Sequence, residues 1–359
     1  MLKDKQILII SPQNWNTRKV SKHHYAREFA KSAEVYFLNP PNYGFLNQGI
    51  KLKEISDNLI VVDFILPIPK FFKFKWNNVF RFFVSRFVAK LKTKIGHIDF
   101  LWNFDNGTYF KEEALFDTAV KVFHPVDDFQ ITMDYNYLSY DIGFAVSPDI
   151  LYKVPIKNKL FINHGVIDLY LDDKKKQIVK PKIKPHKAVY VGNLSIRFLD
   201  IITMEKVITE HNDILFEFIG DYDVKTDFIK FLEAQKNVKL LGPMYGKDLE
   251  VEINNADILL LCYKKQQGYF GDNSHKILEY MSTGNVIVSS YLSVYKDLKL
   301  FPMSLNPENE DYVDLFSEVI LNFEEHNSKV ARIGRVNYAT DNTYSKQVKR
   351  IDDFLNKVI

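Results

Sequence analysis

Residues 273–290, NSHKILEYMSTGNVIVSS, contain the pattern that decides the fold. A short apolar period predicts a helix here, Gly284 is typical of a residue that ends one, and the β-branched run that follows predicts a buried strand. Lys276 and Glu279 stand three residues apart on this helix, on the same face. A helix packed only into a core would need neither charge, so the pair indicates a site.

The start of this helix suits an anion. Asn273 or Ser274 is a candidate cap, which would leave free backbone amides at the helix N-terminus with Lys276 close by. That arrangement is typical of phosphate binding, and Glu279, one turn later, can accept hydrogen bonds from two vicinal ribose hydroxyls. The spacing alone is equally consistent with a surface Lys–Glu pair that stabilises the helix slightly.

The whole chain alternates buried strands with helices. Apolar runs bounded by turn residues are typical of strands covered on both faces, and their alternation with helical stretches predicts an α/β protein with parallel, doubly wound sheets. This alternation of strands and helices stops at a lysine- and proline-rich stretch, residues 171–186, and resumes after it. We therefore predict two Rossmann-like domains, 1–175 and 185–338, with an amphipathic C-terminal helix within 340–359.

Composition excludes several classes of protein. The 359 residues carry 48 basic and 45 acidic side chains, a net charge of +3 that is too balanced for a general nucleic-acid binder. The single cysteine, Cys262, excludes a disulfide framework and a multi-cysteine metal site, and it favours a reducing compartment. No stretch has the roughly 20 apolar residues of a membrane span, so we expect a cytoplasmic protein.

The segment KILEYMSTGNVIVSS resembles the K-x-x-E-Y-x-A-x-G-x-P-V-V signature of GT-B-fold glycosyltransferases of the group 1 or family 4 type. The resemblance implies two Rossmann-like domains that face a cleft, a final helix that crosses back to the first domain, and a nucleotide-sugar donor in the second domain. AVYVGNLSIRFLD is similar to the opening of that donor domain, which implies roles for Gly192 at the cleft and for Arg197 on phosphate. NVKLLGPMYG is similar to the stretch whose backbone, near Gly242 and Pro243, meets the base.

The first half resembles one branch of this family. NWNTRKVSKHHYAREFA is similar to the opening of the branch that includes the xanthan glucuronosyltransferase, in which a loop and helix face the acceptor. The resemblance makes Trp15, His23 and His24 candidates for the acceptor cleft. Taken singly, each histidine is more readily explained as a solvated residue on a helix face.

HPVDDF, residues 124–129, follows a predicted strand at the edge where α/β enzymes carry their chemistry. Glycosyl transfer with inversion needs a carboxylate to accept the proton of the acceptor hydroxyl, and Asp127 or Asp128 is the candidate base. Either aspartate could instead cap a following helix. Retaining relatives carry a glutamate eight residues before the equivalent of Glu279, but Gly271 stands there, which favours inversion. The family resemblance implies no metal and no cofactor.

Residues 70–94, KFFKFKWNNVFRFFVSRFVAKLKTK, interleave basic and aromatic side chains without a single acid. This pattern is typical of a helix that lies on an anionic membrane surface. It is also consistent with a core-facing aromatic stripe that has a solvated basic back, whereas no RNA-binding signature accompanies it.

Together these features predict a glycosyltransferase that transfers a sugar from a UDP- or GDP-type donor to a glycan or lipid-linked glycan in cell-surface polysaccharide synthesis. We expect it to be peripheral on the inner face of the cell membrane. Two alternatives remain at the level of sequence: a nucleotide-sugar epimerase of the same fold, and a non-catalytic protein of the membrane surface.

Overall fold

The structure is a computed structural model that describes residues 1–44, 49–72, 76–105, 119–127, 139–167, 182–264 and 273–359. The described chain forms two compact units. Unit 1 comprises Met1–Gly165 and Tyr344–Ile359, and unit 2 comprises Val166–Thr343. The chain thus leaves unit 1 after Gly165 and returns to it at Tyr344, whereas the sequence analysis places these points near 175 and 340.

Unit 1 is built on a nine-stranded sheet within the described ranges. Its strands are β1 (Gln6–Ile10), β2 (Glu34–Leu38), β3 (Asn42–Tyr43), β4 (Ile50–Ser56), β5 (Leu59–Leu66), β6 (Phe100–Asn103), β7 (Val120–Phe123), β8 (Ile142–Ala145) and β9 (Asn158–Phe161). Their order is β3-β5-β2-β1-β6-β7-β8-β9, with β4 antiparallel on β5 and the other pairs parallel. Within the described residues, the helices before the linker are α1 (Ser21–Phe29), α2 (Asn77–Ile95) and α3 (Pro148–Lys153).

Unit 2 is built on a parallel five-stranded sheet. Its strands are β10 (Lys187–Val191), β11 (Leu215–Ile219), β12 (Val238–Gly242), β13 (Ile258–Leu261) and β14 (Val286–Ser289), in the order β12-β11-β10-β13-β14. Its helices are α4 (Ile201–Glu210), α5 (Asp227–Ala234), α6 (Gly246–Asn255), α7 (Lys276–Thr283), α8 (Tyr312–Leu321), α9 (Phe323–His326) and α10 (Lys329–Asp341). In unit 2 the strand order reverses at β10, which lies between β11 and β13, and in unit 1 it reverses at β1, which lies between β2 and β6. Both sheets are therefore doubly wound, as predicted.

Strand β10 shows why its run of apolar residues needs no alternation with polar ones. Ala188 and Tyr190 belong to one buried cluster and Val189 and Val191 to the other, because successive side chains of a strand point to opposite faces. Helices cover both faces, so every side chain from Ala188 to Val191 is buried.

The last helix, α11 (Tyr344–Val358), belongs to unit 1. Ile351 and Leu355 of its predicted apolar stripe are fully buried, and the ring of Phe354 meets that of Phe144 edge to face. The amphipathic pattern therefore has its partner in unit 1, as the sequence predicts. Among the described helices, none is both long and apolar enough to cross a membrane.

Candidate active site

The carboxyl edge of the unit 2 sheet is lined by glycine backbone. Gly192, Gly220 and Gly242 each lie at the end of one of three neighbouring strands, with positive φ angles. The Gly192 amide donates to the Ile219 carbonyl at 2.8 Å, and the Gly220 amide donates to the Gly242 carbonyl at 2.9 Å. A Cβ atom on Gly220 would lie 2.0 Å from the Gly192 carbonyl oxygen, so only glycine allows this approach.

Lys276 lies against this glycine edge. It is the first residue of α7, and it is 7% exposed. Its Nζ would lie 2.5 Å from a Cβ on Gly192, donates to the Tyr263 hydroxyl at 2.6 Å, and lies 5.4 Å from the centre of the Tyr190 ring. Within the described ranges, no carboxylate pairs with it. Among the described residues its hydrogen-bond partner is a phenol, which carries no negative charge, and a buried ammonium in such surroundings is costly unless an anion binds beside it.

The segment before α7 differs from the sequence prediction. The helix begins after His275, whose side chain makes no capping hydrogen bond, so the predicted cap at Asn273 or Ser274 is wrong. Asn273 instead accepts a hydrogen bond from the Tyr295 hydroxyl at 3.1 Å, and the Ser274 carbonyl accepts from the Ile277 amide. Both residues therefore hold the entry to the helix in place.

The other predicted donor residues lie near the same edge. Glu279 is half-buried, one helical turn after Lys276. Arg197 is exposed in the segment that follows β10 and Gly192, and Pro243 is exposed directly after Gly242, the last residue of β12. The structure thus places a buried cation, an exposed cation and glycine backbone at the carboxyl ends of the unit 2 strands.

Gly284 ends α7 as predicted, in a left-handed conformation with φ +72°. Arg335, which is 1% exposed, holds this corner. Its guanidinium donates to the carbonyl oxygens of Gly284 at 3.0 Å, His326 at 2.9 Å and Leu300 at 3.2 Å. The turn that brings the chain from α7 into β14 is therefore fixed from outside the helix.

In unit 1, Asp127 follows β7 at the carboxyl edge, and its side chain is 81% exposed. One carboxylate oxygen lies 3.8 Å from Nζ of Lys22, a side chain of α1 that is only 3% exposed. Burial lowers the pKa of Lys22, and the carboxylates of Asp127 and Asp105 oppose that shift. Asp128 lies outside the described residues.

Several further polar residues lie at this edge, and none of them was a predicted site residue. They are Lys22, Asp105, His124 and His164, all buried, with the last three within three residues of the ends of β6, β7 and β9. His164 lies 2.9 Å from the Ser21 hydroxyl through Nδ1. None of the four belongs to a recognisable motif, and no local pattern in the sequence distinguishes them from other polar residues.

His124 is enclosed by aromatic rings and fully buried. Its Nδ1 accepts a hydrogen bond from the indole of Trp102 at 3.3 Å, while Nε2 has no partner among the described residues. Burial lowers the pKa of His124 to about 3, so the ring is neutral at neutral pH.

The predicted acceptor-cleft residues are mostly enclosed. Trp15 is 4% exposed, and its ring meets Phe37 edge to face. His23 is fully buried: Nδ1 accepts from the Val20 amide, and Nε2 meets the Asn14 carbonyl at 3.2 Å. Both ring nitrogens are therefore used within unit 1, and burial lowers the pKa of His23 to about 4. This placement assigns Trp15 and His23 to packing rather than to an open surface.

His24 is half-buried and stacks on Tyr344 of α11 at 4.8 Å between ring centres. Burial lowers the pKa of His24 to about 4, with Arg27 adding to the shift. No group of three or more His, Cys, Asp or Glu residues in the described parts of the chain could hold a metal ion.

Comparison with known proteins places this geometry in context. No protein-family model matches the chain, and no curated protein matches it. Solved structures do match over almost the full length. A UDP-forming trehalose-phosphate synthase from Burkholderia vietnamiensis shares 10% identity at a TM-score of 0.72, over 99% of this chain and 97% of that one.

Two further structures match similarly. Anabaena Alr3699/HepE in complex with UDP and glucose shares 12% identity at a TM-score of 0.64, over 98% of this chain and all of that one. A trehalose-6-phosphate synthase studied for glycosyl transfer with retention shares 12% identity at a TM-score of 0.69, over 98% and 99% of the two chains. Identities this low establish the fold and leave the xanthan branch a prediction. The chain has the two-domain GT-B fold of these glycosyltransferases.

Proposed function

We propose that this protein is a glycosyltransferase that binds a nucleoside-diphosphate sugar at the carboxyl edge of unit 2. The observation that carries the proposal is Lys276, a buried ammonium without a carboxylate partner in the described residues, set against the glycine backbone at the start of a helix. A diphosphate supplies the missing charge, and its oxygens can approach closely because Gly192 has no side chain. Arg197 adds a second cation from the exposed segment after β10.

Glu279 accepts the ribose hydroxyls in this proposal, because it lies one turn beyond Lys276 on the same short helix. The backbone near Gly242 and Pro243 contacts the base, and Asn273 and Ser274 hold the helix entry that offers its amides to the phosphates. The donor is of the uridine type. That choice is supported by the matched structures, one of which is UDP-forming and another of which contains UDP and glucose. A GDP-type donor is the competing outcome.

Asp127 is the proposed base for the acceptor hydroxyl, with Asp128 beside it in sequence as the alternative. Its exposed carboxylate and its position after β7 support this role, and Lys22 at 3.8 Å orients it. We propose inversion at the anomeric carbon without a metal, although one matched structure concerns transfer with retention. The anomeric configuration of the product, read by nuclear magnetic resonance, distinguishes the two: an α-linked donor should give a β-linked product.

The acceptor is a glycan or lipid-linked glycan of cell-surface polysaccharide synthesis, and the basic, aromatic segment 70–94 brings the protein to an anionic membrane surface. Residues 73–75 of this segment lie outside the described residues. The exposed side chains of Phe71, Trp76 and Phe82, together with basic residues and no acid in the segment, support this location.

A thermal-shift screen tests the donor site. UDP, GDP, CDP, ADP and their common sugars are offered to the wild type, to Glu279→Ala and to Glu233→Ala, an exposed glutamate on α5. At about 100 times the Kd, a ligand stabilises the native state by roughly 2.7 kcal/mol. Loss of the ribose contacts should weaken binding about tenfold or more in Glu279→Ala and leave Glu233→Ala unchanged.

Two results would contradict the proposal. The first is the absence of a shift with every nucleotide, which would favour a non-catalytic protein. The second is conversion of the donor sugar to an isomer when no acceptor is present, which would favour an epimerase.

A further inference from the structure

Helix α2 has a core face and a separate exposed apolar face. Its core face is fully packed in unit 1 by Phe80, Val84, Phe87, Val88, Leu91 and Ile95. Phe82 and Val79 nevertheless remain 55% and 39% exposed, and just before the helix Trp76 is 56% exposed. The core-facing stripe that the sequence allowed is therefore real, and it does not account for all the aromatic residues of this segment.

A small cavity of about 250 Å³ lies between α2 and the edge of the unit 1 sheet. Its apolar walls come from β4, the end of β5 and α2: Ile50, Ile65, Leu66, Pro67, Phe83 and Phe87. Two cations, Arg86 and Lys90, complete the lining. Apolar walls with a cationic border are suited to a molecule that has a hydrocarbon part and an anionic part.

The two cations are available for such a ligand. Both side chains are exposed, and no carboxylate pairs with either of them within the described ranges. The guanidinium of Arg86 instead lies 5.6 Å from the centre of the exposed Phe82 ring. The exposed apolar face of α2 therefore continues directly into the cationic border of the cavity.

We propose that this cavity binds the end of the hydrocarbon chain of a phosphate-bearing lipid, with Arg86 and Lys90 on the phosphate. The volume supports a chain segment, because whole small-molecule ligands occupy pockets of roughly 300–1,000 Å³. The rest of the lipid lies along the exposed side chains of Val79, Phe82 and Trp76. Side chains of this kind are the ones that an interfacial helix buries in a bilayer. This inference concerns lipid binding alone and stands or falls apart from the nucleotide site in unit 2.

The cavity can be located relative to Asp127 in the sheet of unit 1. Leu66 is the last residue of β5, and β5 runs parallel through the sheet with β7, which precedes Asp127. The cavity and Asp127 therefore lie at the same carboxyl edge of one sheet, four strands apart, or about 19 Å at the usual strand spacing.

Titration calorimetry with decyl phosphate, below its micelle concentration, tests the site. Inorganic phosphate and decyl maltoside separate the contribution of the anion from that of the chain. We expect binding of decyl phosphate at least tenfold tighter than binding of either comparison compound. Arg86→Gln with Lys90→Gln should weaken it about 20-fold. The matched pair Arg81→Gln with Lys94→Gln removes the same two charges from the same helix outside the cavity and should change the Kd less than twofold.

A second series of variants tests the cavity itself. Ile65→Phe fills it without a change of charge and should weaken binding of decyl phosphate at least tenfold, while its melting curve reports whether the fold is intact. Ile50→Phe, on the edge strand β4, serves the same purpose if Ile65→Phe does not fold. Three results would each overturn the proposal: equal binding of inorganic phosphate, equal loss in the Arg81 and Lys94 pair, or wild-type affinity in a folded, filled variant.

Discussion

At the scale of the residue, we expect Lys276 to contribute to ligand binding and not to the stability of the fold. A buried cation without a described carboxylate partner lowers stability, and an anionic ligand reverses that effect. Lys187 is the opposite case in the same unit, because Glu217 at 3.0 Å and Glu252 at 3.2 Å both pair with its ammonium. Two lysines of unit 2 therefore differ in their surroundings: Lys187 is paired with carboxylates, and Lys276 has no carboxylate partner among the described residues.

Replacement of each lysine by methionine makes this difference measurable. We expect Lys276→Met to leave the free energy of unfolding unchanged or to raise it by about 1 kcal/mol, because it removes a buried charge. The same variant should weaken UDP binding roughly 10- to 100-fold. Lys187→Met should lower stability and spare UDP binding. Urea denaturation and calorimetry supply both quantities, and a clear loss of stability in Lys276→Met would assign that lysine to the fold.

The histidines of unit 1 make a second prediction at this scale. Burial lowers the pKa values of His23 and His24 to about 4 and that of His124 to about 3, against 6.5 for an ordinary histidine. Below pH 6.5 these histidines are protonated in the unfolded chain, whereas they stay neutral in the native chain until the pH falls much further. Stability should therefore fall as the pH drops from about 6.5 towards 4, with a slope of at most roughly 1.4 kcal/mol per pH unit for each histidine.

His124→Phe should reduce this slope, because it removes one of the three groups and keeps the aromatic packing. His186→Gln, at an exposed position in unit 2, is the control and should leave the slope unchanged. Urea denaturation at pH 7, 6 and 5 gives the slopes directly. Identical slopes for the wild type and His124→Phe would show that His124 takes up its proton without unfolding.

At the scale of the element, the corner between α7 and β14 depends on one side chain from a distant helix. Arg335 of α10 satisfies the carbonyl groups of Gly284, Leu300 and His326. Arg335→Met should lower the free energy of unfolding by about 3 kcal/mol, because buried carbonyl groups lose their donors. Lys329→Met, an exposed change of equal charge on the same helix, should have almost no effect. A small difference between the two variants in urea denaturation would mean that water replaces the guanidinium.

The same elements show how far the sequence predicts the structure. The span of α7, its glycine end and β14 follow from periodicity and local preference, since these signals are carried by neighbouring residues. The cap at Asn273 or Ser274 is wrong by one or two positions, because three consecutive polar residues compete and the surrounding contacts choose among them. Strand β4 was not predicted, because its exposed lysines and Glu54 break up the apolar run by which a buried strand is recognised.

At the scale of the whole molecule, the last helix belongs to unit 1, although it follows unit 2 in the sequence. Ile351→Ala with Leu355→Ala removes two fully buried side chains at a cost of roughly 2–5 kcal/mol each. Hydrogen exchange should then accelerate in α1 and β1 and stay unchanged in β10 and β13, with UDP affinity intact. Phe316→Ala, in the core of unit 2, should produce the reverse pattern. Equal acceleration in both units would show that the two unfold as one.

The polar edge of unit 1 shows what sequence cannot predict at this scale. Asp127 is a prediction that rests on its position after a strand, at the edge where α/β enzymes carry their chemistry. Lys22, His124 and His164 come from separate segments and meet only when the sheet forms, so no local pattern marks them. Trp15 and His23 show the converse: a resemblance identified them, whereas the fold uses them as core.

The contact between Gly220 and the Gly192 carbonyl has a consequence for mutational tolerance. The two positions form one steric unit, since a methyl group at 220 would occupy the volume of the 192 carbonyl oxygen. In a library that samples every substitution at both positions, no substitution at position 220 should give a folded protein, even where a change at position 192 is compatible with folding. Among diverged copies of this chain, therefore, position 220 should retain its glycine even where position 192 has changed.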